Sequence, residues 1–248
     1  MFEHDPANRI GNAARRLAAF HVGCLVLVYA LAKMTRALHP TAMDALQDHL
    51  VAALEELYRT FEAATPLMIE GCPCCVDGRE IDVLLSKPLR QISCQELMHY
   101  IGGVFHTVGD ELDFRYFLPR ILEISIAADN NTPRAEIVIG KLRLAGWQNW
   151  PFHERQAVIN CLDLWFEQAL TWDKAEADED YGLSSYRTEA ILCGAALADL
   201  PLDRWLARLK QPDVRFVMQD LREQFPNKPN GFWRNALGGF VEVSKGLA

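Results

Sequence analysis

Neither a run of alternating apolar and polar residues nor a fixed-period repeat occurs in the 248-residue sequence. The first absence argues against half-buried strands, whose side chains alternate with period two. The second leaves any solenoid-like stacking without its usual sequence signature. The motifs GxxxxGK[S/T], HExxH and GxGxxG are missing too, which removes the phosphate-cradling loop, the helical zinc-protease pair and the dinucleotide-binding turn. Gly182-Leu183-Ser184-Ser185-Tyr186 starts like a nucleophile elbow but lacks the closing glycine. Basic residues are outnumbered, 25 Lys and Arg against 33 Asp and Glu, for a formal charge of −8. That is the wrong sign for neutralising a phosphate backbone, so no nucleic-acid role is expected.

What is present is apolar material. Hydrophobic residues make up 50% of the chain, enough for a sizeable core without a disulfide framework. The seven cysteines are an odd set, and Cys24, Cys161 and Cys193 lie in apolar helical patterns where a thiol behaves as a small hydrophobe. Reduced thiols in a cytoplasmic compartment are the expectation. The one long apolar stretch, Leu17 to Ala32, follows Arg15 and Arg16 and ends in Ala30-Leu31-Ala32. It is shorter than the roughly 20 residues of a membrane span, so no membrane role is expected. It reads as a core helix or, alternatively, as an export signal, with Met34 as an alternative start. Residues 1–40 are therefore set apart from a single α-helical domain over 41–248.

Within that domain the pattern is helical throughout. Met43, Leu46, Leu50, Leu54, Leu57 and Phe61 recur at three- and four-residue spacing, predicting a helix capped by Thr41 and ended by Thr65-Pro66. Ser93 and Glu96 form a capping box for a helix reaching about Thr107. Asp110 can cap the next segment, which either kinks or restarts at Pro119. Ala135 to Leu144 reads as a helix; Trp147 to Pro151 is a connector; Val158, Leu162, Trp165 and Ala169 mark a further helix face. Four shorter helices are expected over 185–198, 202–209, 214–225 and 232–241. The predicted fold class is all-α, an irregular multi-helix array with a cysteine-rich turn.

That turn, Cys72-Pro73-Cys74-Cys75, suits two chemistries. Closely spaced thiolates can share a tetrahedral zinc ion. A CxxC pair can also exchange disulfides, a role that calls for a strand–helix setting. Adding Cys94 and His99 gives C-x2-C-x18-C-x4-H, but five helical residues leave Cys94 and His99 about 140° apart. His99 and His106 share a face but stand about 10.5 Å apart. The candidate ligands are thus Cys72, Cys74, Cys75 and Cys94, with zinc as the candidate ion.

Two charged segments carry the other candidates. In Asp110 to Glu123, Glu111–Arg115 and Arg120–Glu123 have helical pairing distances. They predict an ion-pair lattice beside the core, or a groove in which Arg115 and Arg120 hold an anion. Trp147, Trp150, Trp172 and Tyr181 lie in or beside turns, with Asp173, Glu176, Asp178, Glu179 and Asp180 between the last two. Aromatic anchors ringed by charge fit a contact surface for a basic partner; core tryptophans and a solvated acidic loop are the plain alternative.

The cysteine turn, Pro88-Leu89-Arg90 and the block Asp113 to Glu123 (DFRYFLPRILE) together resemble bacterial proteins with a CPCC-like segment ahead of a DFRxFLPR-like one. The resemblance implies a bacterial origin; it implies no activity and hands over no site residues. The resulting expectation is a non-enzymatic, acidic, helical binding protein, in concrete form an inhibitor or immunity-type protein for a basic protein partner. Two alternatives stand beside it: a zinc- or thiol-dependent protein using the Cys72–Cys75 turn, and an enzyme with a site around Asp110 to Glu123.

Overall fold

Residues 42–127, 133–178, 185–229 and 231–248 are described by the computed structural model. Apolar residues at helical spacing make ten α-helices among them and no strand: α1 (Ala42–Thr60), α2 (Gly78–Leu85), α3 (Cys94–Gly103), α4 (Glu111–Ile126), α5 (Ala135–Leu144), α6 (Phe152–Asp178), α7 (Tyr186–Leu197), α8 (Asp203–Leu209), α9 (Arg215–Gln224) and α10 (Leu237–Leu247). The all-α array expected from the pattern is what the chain forms. The chain divides into two units, Met1–Ala45 and Leu46–Ala248, and the second holds the cysteine turn and every helix from α2 onward. Leu17 to Ala32, Met34 and the Thr41 cap lie outside the described residues. No described helix is long and apolar enough to cross a membrane.

The local signals for helix starts operate as expected. Ser93 and Glu96 exchange their side-chain and backbone hydrogen bonds in a complete capping box, and Asp110 and Asp113 do the same for α4. Asp77 begins α2 by accepting the Arg79 N–H. Helix α5 has the predicted bounds.

Tertiary packing accounts for the differences. Helix α1 stops at Thr60 instead of running to Thr65. Phe61 is drawn into the core against Trp150, ring centroids 5.5 Å apart, and Thr65 hydrogen-bonds Tyr116. Helix α4 does not restart at Pro119: it continues through it. The cost of an interior proline is offset by the burial of Phe114, Phe117, Leu118, Ile121 and Leu122. The acidic run from Asp173 is helical as far as Asp178 and not a loop from its start. The last predicted helix breaks at Ala236, because a 3-10 turn over Gly231–Asn235 seats Trp233 in the core with its indole N–H on Glu189.

Helices α5 and α7 share the most extensive contact in the fold, and a glycine sets their separation. A Cβ on Gly194 would lie 2.8 Å from the Ile139 Cβ, 3.0 Å from the Ala135 carbonyl oxygen and 3.1 Å from the Glu136 Cα. Two of those three are backbone atoms, which cannot swing aside. Gly194→Ala gains up to about 1 kcal/mol of helix propensity but forces an overpacking cost of about 1–3 kcal/mol. The expected result is a net destabilisation, read as a lower urea midpoint with an unchanged slope.

Candidate metal centre

The cysteine turn is built from the backbone outward. Pro73 supplies the bent φ that opens a turn, and the Cys72 carbonyl accepts the N–H groups of both Cys75, at 3.0 Å, and Val76, at 3.1 Å. A short antiparallel link fastens this turn to the segment after α3. The Cys72 N–H donates to the Thr107 carbonyl and the Gly109 N–H donates to the Glu70 carbonyl, each at 2.7 Å, around the Gly71–Val108 bridge. Gly109 is required there: its φ is +65°, and an added Cβ would sit 2.9 Å from the Tyr100 ring. Phe105, in the same segment, also holds a positive φ, +68°, and stacks at a tilt on Phe114.

Within the turn, three sulfurs converge. Sγ of Cys72 is 2.9 Å from Sγ of Cys74, which is 3.5 Å from Sγ of Cys75. All three lie within 4.8 Å of one another, the one such group of potential metal ligands among the described residues. Tetrahedral zinc with bonds of about 2.3 Å separates its sulfurs by about 3.8 Å, so the trio needs only small shifts to match. Cys74 and Cys75 are exposed and Cys72 is half-buried. The Cys72 thiol lies below the ordinary thiol range. The Cys74 side chain is the main cause, followed by the Cys74 N–H and the Cys75 thiol. Cys75 is raised, first by the Cys74 side chain and then by Cys72. Three sulfurs with room to approach can ligate a soft cation or exchange with an outside thiol.

Behind the turn lies a cleft of about 320 Å³ between α2 and α3, lined in part by Cys75, Glu80, Glu96, His99 and Tyr100. His99 Nδ1 is 2.6 Å from Glu80 Oε1. Glu96 is held down at about 2, first by Lys87 and then by the Ser93 N–H and hydroxyl. Cys94, the fourth sulfur expected from the sequence, sits half-buried in the first turn of α3, packed against the core and outside the convergent trio.

The other candidate residues go elsewhere. The predicted pairs Glu111–Arg115 and Arg120–Glu123 both form. Arg115 also reaches Glu154, and Arg120 donates to the Ile92 carbonyl, so neither guanidinium is held open for an anion. A cleft of about 590 Å³ does lie beside Asp110, Asp113 and Arg115, but those two carboxylates cap α4. Trp147 and Trp150 are core residues, each 4% exposed. Their indole N–H groups donate to the Ala198 and Ala145 carbonyls, where α7 and α5 end, and Trp150 also donates to Glu111. This corrects their reading as surface anchors.

Asp173 needs the same correction. Its side chain is buried, and Oδ2 accepts the N–H and the hydroxyl of Thr188 at 2.8 and 2.6 Å. It therefore caps the start of α7 from another helix, while Ser185, the residue at that cap position, turns its hydroxyl to the Val217 carbonyl. Burial raises the Asp173 carboxyl against the lowering from Thr188 and Arg187. Glu176 pairs with Arg187, whose guanidinium stands 5.6 Å from the ring of half-buried Trp172. Asp178 ends α6; Glu179, Asp180 and Tyr181 lie outside the described residues. No spacing rule marks Asp173 as a cap, since its partner is in the next helix.

No family model, no curated protein and no solved structure matches the chain.

Two measurements check this arrangement. Asp173→Ala leaves the buried Thr188 donors unsatisfied and is expected to cost about 2–3 kcal/mol in urea unfolding; a surface contact residue would change stability by less than about 0.5 kcal/mol. Thiol titration of the folded, metal-stripped protein should modify Cys72, Cys74 and Cys75. Cys161 and Cys193, both pushed up to about 12 chiefly by burial, should react only after unfolding; peptide mapping of the labelled sites distinguishes the two groups.

Proposed function

We propose that the Cys72–Cys75 turn binds a thiophilic metal ion, zinc(II) by preference, and that the protein works through this site. The observation that carries the reading is the convergence of three sulfurs, not two, on one point of the surface. A dithiol exchange centre needs a pair set between a strand and a helix, whereas the turn here follows an irregular segment and the third sulfur has no role in such an exchange. Thiolate ligands favour zinc or copper(I) over the hard cations. The chain's charge of −8 also favours a cation.

Masking of a basic protein, the reading that charge suggests first, takes second place. Its proposed anchors Trp147, Trp150 and Asp173 are committed to helix ends in the interior, which leaves the net charge and the remaining acidic and aromatic residues of 172–181 in its support.

Metal analysis of the protein purified under reducing conditions is expected to give one zinc per chain. Chelation should release it and raise the native thiol titre by three. Replacing Cys72, Cys74 and Cys75 together by serine should abolish the metal while leaving the helical circular dichroism intact. Substoichiometric metal in the parent protein, or equal metal in the triple variant, would refute the assignment.

A further inference from the structure

We infer that His99 supplies the fourth ligand of the Cys72–Cys74–Cys75 centre, with Glu80 orienting its ring. This rests on the proposed metal binding and assigns the position which that proposal leaves open.

A structural zinc ion takes four ligands in a tetrahedron, and the turn provides three. No further cysteine, histidine or carboxylate joins the trio among the described residues, so the fourth group has to come from a cleft that the cysteines line. His106, beside Cys72, has no carboxylate bonded to its ring among the described residues, which favours the cleft that Cys75 helps to line. The carboxylates of that cleft are engaged. Asp77 accepts the Arg79 N–H at the start of α2. Glu96 accepts from Lys87 and from the Ser93 N–H and hydroxyl. Glu80 is bound to His99. Tyr100 is buried, and Cys94 is packed against the core.

His99 differs from all of these. Its side chain is 78% exposed, so its ring can turn without disturbing the core. Nδ1 faces Glu80 at 2.6 Å. When that nitrogen donates to the carboxylate, the lone pair of the neutral ring is left on Nε2, the form in which histidine binds metals. A carboxylate behind a ligating imidazole is the usual outer partner: it sets the tautomer and strengthens the donor. Glu80 stands on α2, which begins three residues after Cys75, and α3 packs against α2. The turn, the carboxylate and the histidine are thus gathered around one small cleft. A set of three cysteines and one histidine forms when the exposed Cys75 side chain and the exposed His99 ring, its Nδ1 kept on Glu80, swing toward each other across that cleft. The string C-x2-C-x18-C-x4-H contains the right histidine, but Cys74 takes the place that spacing assigns to Cys94.

The test uses the full chain, stripped of metal under reducing conditions and titrated with cobalt(II), then with zinc in competition against a chromophoric chelator. The parent protein is expected to show sulfur-to-cobalt charge transfer and the visible bands of a tetrahedral site with three sulfur ligands and one nitrogen. His99→Gln should shift those bands and weaken zinc by at least about 10–100-fold, with unchanged circular dichroism. His99→Cys should restore tight tetrahedral binding, which a merely structural role for His99 would not allow. Glu80→Gln should keep the parent's visible bands but bind roughly 10-fold more weakly. Cys94→Ser should match the parent. If the parent shows thiolate-bound cobalt while His99→Gln has the same spectrum and affinity, the inference fails and the three-cysteine site stands. If the parent binds no cobalt through sulfur, both fail.

Discussion

Each helix leaves its first N–H groups and last carbonyls without partners inside the helix, and a fold made only of helices has many such ends to satisfy. Here several of them are satisfied across the array. Asp173 on α6 caps the start of α7, and Asp220 on α9 accepts the Ser185 N–H beside it. Lys141 on α5 is buried, and it donates to the Val104 carbonyl and, more weakly, to that of Gly102 where α3 ends. Trp147 and Trp150 close the ends of α7 and α5, and Arg222 donates to the Leu247 carbonyl at the end of α10. Polar side chains that look available to a partner are in this way engaged by the backbone. A buried donor or acceptor left without a partner costs about 1–3 kcal/mol, a sizeable share of a domain's net stability.

The cysteine turn stands outside this network of helix ends. Among the described residues, its thiols take part in no helix cap, buried core cluster or ion pair; two of them are exposed, and the third belongs to a residue held by backbone bonds on either side. The surrounding segment is tied down through Gly109 and through Phe105 in a left-handed conformation uncommon for a bulky residue. Strain of that kind persists where the rest of the structure over-determines it, and it gathers around functional sites. The proposed metal centre thus combines a fixed backbone with reachable side chains.

How much of this is legible in the chain depends on the range of the interaction. The capping boxes at Ser93–Glu96 and Asp110–Asp113 and the pairs Glu111–Arg115 and Arg120–Glu123 involve residues three or four apart, and each can be read from spacing. So can the all-α class, from the recurrence of apolar residues. Asp173 and Trp147 cannot, because their partners lie at distant helix ends and no local rule joins them, and neither can the reach of Trp150 to Glu111 on α4. Pro119 argues for a break that a buried apolar face overrides. At the candidate site, the three neighbouring cysteines are visible as a motif. The arrangement of Glu80 and His99 is not, because their proximity is created by the packing of α2 on α3.

The link between Gly71 and Val108 has one further effect. Residues 75 and 99 are far apart along the chain, and closing a flexible loop of that length costs on the order of 3 kcal/mol in chain entropy. The backbone bonds on either side of that bridge hold the ends of the segment that contains both residues together within the fold itself. An ion bound there would meet ligands already gathered, and its affinity would report mainly on the bonds it makes.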